Sequence, residues 1–139
     1  MPRAGPLLSL SREHHVSLVL ARDARRAASG EDPATLSAAI QRIENHWNSL
    51  LAAHFEQEER LLNAAKDALD PASVARIFAE HAELQLLGSK PCLEPAARLH
   101  RFGELLSAHV RYEERVIFPQ LQSHPCVALM ITNDDIDSE

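Results

Sequence analysis

One segment, Ala-His-x-x-x-Glu-Glu-Arg followed by two apolar residues, occurs twice in this chain of 139 residues. The copies run from Ala53 to Arg60 and from Ala108 to Arg115. Four residues of α-helix turn through about 400°, so the histidine and the first glutamate of each copy lie on one helix face, one turn apart. Two such helices facing each other would bring two imidazoles and two carboxylates together. The repeat therefore predicts two helices whose polar residues converge.

Gly, Pro and capping residues divide the chain into four expected helices. Along each of them apolar residues recur every three or four positions, which indicates amphipathic helices that share one core. The expected limits are Ser9 or Ser11 to about Ser29, Pro33 to about Asp67, Asp70-Pro71 to Gly88, and about Pro95 to Pro119. With only 4 Gly and many Ala, Leu, Glu and Arg residues, the composition predicts an all-α domain.

Composition and charge limit the domain organisation and the partners. Residues 1–124 are expected to form one domain, and residues 125–139 an acidic tail too poor in apolar residues to pack as another helix. The formal net charge of −6 and the lack of a continuous basic face argue against a nucleic-acid partner. No apolar run or signal peptide indicates a membrane span or export. The two distant cysteines form no Cys-x-x-Cys pair, so a cytoplasmic protein is expected. The sequence leaves open whether the chain has a protein partner and what its oligomeric state is.

Histidine stands out in the composition, with eight residues against one Trp and one Tyr. Several histidines occupy positions on the apolar stripes of the expected helices. On the first helix the periodicity does not separate His14 from His15, so both are candidates, one as a direct ligand and one as its neighbour. The inward polar residues are then His14 or His15, His54, Glu58, His81, His109 and Glu113.

The two inward carboxylates need positive charge between them. A buried unpaired carboxylate is strongly destabilising, and Glu58 and Glu113 would also repel each other. No Lys or Arg lies on the four stripes to neutralise them. Two metal cations would do so, with the carboxylates bridging and the imidazoles in the outer positions. Imidazole and carboxylate together suit iron, manganese or zinc, so a pair of such ions in a helical bundle is the leading hypothesis.

Neighbouring residues carry weaker signals. Glu59 and Glu114 lie beside the stripes and are expected to pair with nearby arginines or to accept hydrogen bonds from the histidines. His100 and Glu104 are also four residues apart, but they lie on the opposite side of their helix and should face solvent, so spacing alone does not define a site. His46 is expected on the surface.

The inward residues and their neighbours resemble the hemerythrin-like, or HHE cation-binding, family over residues 7–121. The resemblance is carried by Glu13-His14-His15, His54-Phe55-x-x-Glu58-Glu59, Glu80-His81, and His109-x-x-x-Glu113-Glu114 with Phe118-Pro119. It implies an up-down-up-down antiparallel four-helix bundle around a non-haem di-iron centre, with two Fe ions joined by an oxo or hydroxo bridge. By this resemblance Glu58 and Glu113 would bridge the irons, and the histidines would be terminal ligands.

One departure from that family bears on function. Oxygen-carrying hemerythrins have two histidines four apart on the third helix, whereas here Ile77 and Gln85 stand one turn on either side of His81. This favours the four-His, two-Glu variant found in relatives linked to nitric oxide, redox stress or iron handling. Alternatively, His14 and His15 both contribute ligands. The resemblance thus implies a protein that binds or senses O2, NO or redox state, or handles iron, rather than a turnover enzyme.

The alternatives belong to other classes. The sequence lacks the Glu-x-x-His pairs of a ferritin-like oxidase and the His-Glu-x-x-His of a mononuclear zinc hydrolase. A metal-free helical bundle that acts as a protein-interaction module remains the alternative function. Another divalent metal in place of iron also remains open.

Overall fold

The computed structural model describes residues 5–30 and 32–125, and within them every regular element is helical. The α-helices are α1 (Pro6–Gly30), α2 (Pro33–His46), α3 (Ala52–Ala65), α4 (Pro71–Ser89), α5 (Pro95–Tyr112) and α6 (Phe118–Gln122). A π-helical turn at Trp47–Leu51 joins α2 to α3, and another at Glu113–Ile117 joins α5 to α6. The predicted all-α fold of four helical units, namely α1, α2–α3, α4 and α5–α6, is confirmed. Residues 126–139 of the predicted acidic tail lie outside the described residues.

Aspartate followed by proline starts two of these units as the sequence predicts. The Asp32 carboxylate accepts a hydrogen bond from the backbone N–H of Thr35 at 3.0 Å, and Asp70 accepts one from that of Ala72 at 3.2 Å. The following prolines need no hydrogen bond in the first turn and already have a helical φ. No helix in the described ranges is long and apolar enough to span a bilayer.

Two helix limits differ from the prediction. The first helix begins at Pro6 rather than at a Ser9 or Ser11 cap, because Gly5 adopts a φ of 59° and turns the chain into a proline that suits a first helical turn. The fourth unit also continues past Pro119 to the end of α6. Since proline has no backbone N–H, the regular hydrogen-bond ladder cannot pass it unchanged, and a π-helical turn ends at Ile117, two residues before it.

A layer of polar side chains divides the apolar core into two clusters. Along α1, Leu7 and Leu10 belong to one cluster and Ala21 and Ala24 to the other, with the buried His14 between them. The same change of cluster occurs in each of the other units. It falls at His54 to Glu58 in α3, at His81 in α4, and at His109 to Glu113 in the α5–α6 unit.

The α1–α5 contact is the most extensive between two helices of the described chain. A methyl group at Gly103 would lie only 2.6 Å from the backbone oxygen of Ala21. Ala24 and Ala28 are buried on the same helix, so small residues let the two backbones approach closely. This contact fixes the spacing of the helices that carry His14 and His109.

We predict that Gly103→Ala lowers the free energy of unfolding by about 1–3 kcal/mol, because the added methyl group must push α1 away from α5. Urea denaturation of the two proteins measures the difference. Gly30→Ala is the matched control, since a methyl group there would meet nothing within 4 Å. Equal effects of the two substitutions would show that close approach at Gly103 is unimportant.

Candidate metal centre

Six of the residues predicted to face inward meet at one place in the polar layer. They are His14 of α1, His54 and Glu58 of α3, His81 of α4, His109 of α5, and Glu113 of the π-helical turn after α5. Each of them is no more than 3% exposed. They form two overlapping sets of four potential metal ligands, and the donor atoms within a set lie within 4.8 Å of one another.

The two sets share both carboxylates. One set adds His14 and His54, and the other adds His81 and His109. Each set could therefore offer a metal ion two imidazoles and oxygen atoms of the two shared carboxylates.

His14, rather than His15, belongs to the cluster. The neighbouring positions Leu10, Ser17 and Ala21 are buried on the same face of α1 as His14. One further residue turns a helix by about 100°, and His15 is accordingly exposed. The candidate ligand His15 therefore has no place in this centre.

Glu58 offers its two oxygen atoms to different histidines. Its Oε2 lies 3.2 Å from Nε2 of His14 and 3.1 Å from Nε2 of His54. Its Oε1 lies 3.1 Å from Nε2 of His81. One carboxylate therefore faces histidines of both sets.

Glu113 also contacts both sets. Its Oε1 lies 3.1 Å from Nε2 of His14 and 3.0 Å from Nε2 of His109, and its Oε2 lies 4.0 Å from Nε2 of His81. The sharing is less even than at Glu58, because one oxygen makes both of the shorter contacts.

Several of these close atoms lack a hydrogen bond. Among the described residues, Nε2 of His54, Nε2 of His109 and Oε1 of Glu113 are buried without a hydrogen-bond partner, although each lies near an oppositely charged or polar atom. A buried polar atom without a partner is costly. A lone pair on Nε2 facing carboxylate lone pairs at about 3 Å needs a cation in between, either a proton or a metal ion.

Four outer glutamates hold the other nitrogen of each imidazole. The contacts join Glu13 to His54, Glu59 to His81, Glu80 to His109 and Glu114 to His14, at 2.8, 2.8, 2.8 and 2.7 Å from Nδ1. Each glutamate belongs to a different helical unit from its histidine, so the contacts close a circuit around the bundle. An Nδ1–H that donates to a carboxylate leaves Nε2 free to bind a metal, which is the arrangement typical of metal-bound histidine.

Only two of these four outer glutamates were predicted from the sequence. Glu59 and Glu114 accept hydrogen bonds from histidines, which is one of their two predicted roles. The contributions of Glu13 and Glu80 were missed. The available signal was position: these two glutamates directly precede His14 and His81 in the sequence, so the turn of one residue aims them at a neighbouring helix.

The charges of the carboxylates control the pKa values of the buried imidazoles. Burial alone would lower the pKa of His14, but the surrounding carboxylates, Glu113 first, raise it to about 11. Burial opposes the charge in the same way at His109, where Glu113 and Glu80 raise the pKa to about 10. Burial would raise the pKa of Glu58, but the imidazoles that contact it hold its pKa well below the ordinary value. Without metal ions, protons therefore supply the positive charge of the centre.

One arginine of the described residues, Arg98, is buried, and its charge is paired away from the candidate centre. The burial of Arg98, which is 2% exposed, was not predicted from the sequence. Its Nε donates to the backbone oxygen of Leu87 at 2.6 Å, and its Nη2 pairs with Glu44 at 3.1 Å. Its charge is therefore paired with Glu44 rather than with the carboxylates of the centre.

Two further histidines test the predictions from spacing. His100 and Glu104 lie 3.1 Å apart and are 58% and 52% exposed, which confirms that this pair faces solvent. His46 was expected on the surface but is half-buried, and its Nε2 lies 3.1 Å from Oγ of the buried Ser17. Burial and the nearby charge of His54 lower the pKa of His46.

We predict that the metal-free protein loses stability as the pH rises above about 6.5. The imidazoles of His14 and His109 have ordinary pKa values of 6.5 when unfolded, against about 11 and about 10 when folded. A group whose pKa is higher in the folded protein contributes its full stabilisation at pH values below its pKa in the unfolded chain. This contribution is lost as the pH rises through its pKa in the folded protein. The melting temperature of chelated protein should fall steadily across that window.

Two variants check the assignment of this pH dependence. His109→Gln removes one of the two groups and should make the fall shallower, whereas His100→Gln removes an exposed imidazole and should leave it unchanged. A chelated wild-type protein whose melting temperature does not change between about pH 7 and 10 would contradict the prediction.

Comparison with known proteins gives no further assignment of this centre. No protein-family model matches the sequence, and no curated protein or solved structure matches it either. The resemblance to the hemerythrin-like family therefore stays an expectation from the sequence.

Proposed function

We propose that this chain holds two iron ions in a non-haem centre and uses them to bind or sense a small diatomic, O2 or NO, or the redox state, as its resemblance to hemerythrin-like proteins implies. The observation that carries this proposal is the pair of four-residue ligand sets that share Glu58 and Glu113. An ordinary structural histidine in a core needs no second histidine, and it needs no shared carboxylate.

The spacing of the donor atoms supports a first-row metal. Ligand atoms about 2.0–2.2 Å from one ion lie roughly 3 Å apart when they are adjacent in octahedral geometry. The contacts between the inner carboxylates and the imidazoles run from 3.0 to 3.2 Å, apart from one of 4.0 Å. The charge also fits, because neutral imidazoles leave the two inner carboxylates with two negative charges that cations would offset.

We also propose that the four helical units alternate in direction, up-down-up-down. Pairs of contacts between neighbouring units support it, since residue numbers rise on one unit while they fall on the other. The pairs are Glu13 with His54 and Ser17 with His46 for the first two units, and Glu80 with His109 and Glu83 with Arg101 for the last two.

Bound iron would supply a redox couple and coordination positions for a small ligand. The residues of this chain position the imidazoles and keep water away. The ring of Phe55 stacks on His81 with centroids 3.9 Å apart, and the ring of Phe118 stacks on His14 at 5.0 Å. The stacked phenyl ring holds the face of each of these two imidazoles, and the carboxylate bonded to Nδ1 holds its edge.

Metal analysis combined with an absorption spectrum tests the proposal directly. We expect about two irons per chain and visible absorption that changes reversibly with reductant and air. Glu58→Gln combined with Glu113→Gln should abolish iron binding, because two bridging charges are lost. Glu104→Gln is the matched control, since this glutamate forms the same His-x-x-x-Glu pair on the surface.

The outcomes separate the candidate functions. Iron retained at two per chain in the double variant would contradict the bridging role of Glu58 and Glu113. A colourless protein that melts at the same temperature before and after chelation would favour the metal-free interaction module instead. A colourless protein with stoichiometric zinc would support the metal site but contradict its redox role.

We predict that Glu80→Gln weakens metal affinity by about 10–100-fold, because His109 loses the charged acceptor that orients it. Competition with a chelator of known affinity measures the change. Glu83→Gln, one turn along α4, removes a carboxylate that pairs with Arg101 on the surface and should leave affinity unchanged. Equal affinities of the two variants would show that the outer contact to His109 does not tune the site.

A further inference from the structure

A cavity of about 480 Å³ lies between the α2–α3 unit and α4, beside the metal centre. Its volume falls within the range of pockets that bind small molecules. Three aromatic side chains, Trp47, Phe55 and Phe78, form its apolar walls. The ring of Trp47 meets the edge of Phe55 with centroids 5.8 Å apart, so these two side chains form one continuous wall.

The polar side of this cavity is acidic. Its polar lining consists of Glu56, Glu59, Gln85 and His81, whose Nδ1 is bonded to Glu59, and neither lysine nor arginine lines it. Glu56 is exposed and forms no ion pair within residues 5–30 and 32–125. Two carboxylates that share a cavity with aromatic side chains form a surrounding that attracts a positive charge and repels a negative one.

Small residues and the first π-helical turn make room for the cavity. Ala52 of α3 and Ala82 of α4 line the cavity, and larger side chains at these two positions would fill part of it. Gly88 lies against Trp47, with a virtual methyl carbon 3.4 Å from Cβ of the tryptophan. Trp47 opens the π-helical turn, where the altered helical phase places its ring on the cavity wall.

We propose that this cavity binds a small organic cation, an ammonium or guanidinium group carried on a flat apolar body. The aromatic walls would cover the flat body and the positive group, and Glu56 and Glu59 would pair with the charge. Glu59 also accepts the hydrogen bond of His81, so the occupant would lie next to the outer contacts of the metal centre. The site does not need a bound metal.

Trp47 is the one tryptophan of the chain, so its fluorescence reports on the cavity directly. The probe is benzyltrimethylammonium, whose quaternary nitrogen cannot coordinate a metal. We expect this cation to produce a saturable change of Trp47 fluorescence. The neutral benzyl alcohol should bind with an affinity at least about threefold lower, and benzoate should produce no saturable change. Equal binding of the cation and the alcohol, or binding of benzoate, would overturn the proposal.

Matched variants locate the binding. Glu56→Gln should weaken binding of the cation by about three- to fivefold, because a partly exposed charge pair is lost. Glu104→Gln removes an exposed carboxylate outside this cavity and should have no effect. Similar losses in the two variants would show that general surface charge, rather than this cavity, attracts the probe.

A cavity-filling variant gives an independent check. Ala82 is exposed at the rim, so Ala82→Leu should fold normally, which its circular dichroism and melting temperature verify, while it closes the cavity. A folded variant that binds the cation as well as the wild type does would overturn the proposal.

The titration is run on protein as purified and after chelation. Binding in both states is expected, whatever metal analysis finds, so this test can fail or succeed separately from the iron proposal. A response that appears only with bound metal would overturn the proposal, because the cavity residues are expected to bind the cation without it.

Discussion

Two carboxylates, Glu58 and Glu113, lie in the middle of the helical bundle with side chains 2% and 1% exposed. Burial strongly disfavours two negative charges in contact unless positive charge lies between them. Among the described residues the buried arginine, Arg98, pairs with Glu44 instead. The charge must come from protons on the surrounding imidazoles or from metal ions, and the rest of the polar layer is arranged to hold it.

This requirement explains why the polar layer has two shells. The inner imidazoles present Nε2 to the shared carboxylates, while the outer glutamates accept the Nδ1–H. Apolar clusters above and below seal the layer, so the inner contacts act in a medium of low dielectric where they are strong. The close α1–α5 contact at Gly103 sets the distance across which His14 can reach Glu113 and Glu114.

The layer is sealed less tightly on one side. The cavity between the α2–α3 unit and α4 is lined by His81, Glu59 and Phe55. The Phe55 ring stacks on His81 and meets the buried ring of His109 at an edge. Glu59 therefore belongs to two environments, since it accepts a hydrogen bond from a buried imidazole and is 35% exposed to the cavity and solvent. An occupant of the cavity and a ligand of the candidate metal centre would both act on this side chain. The proposed function and the proposed cation site are thus neighbours, although neither requires the other.

The sequence by itself determined the helices and the faces that they bury. Periodicity placed His54, Glu58, His109 and Glu113 among core positions, because a helix turns about 100° per residue whatever surrounds it. Only the tertiary structure decided between His14 and His15, since their apolar neighbours differ too little in number and the packing against α5 selects one face. The π-helical turns, the acceptor partners on neighbouring helices, the burial of an arginine and the cavity also depend on how separate helices meet. Such contacts join residues far apart in sequence, and no local spacing encodes them.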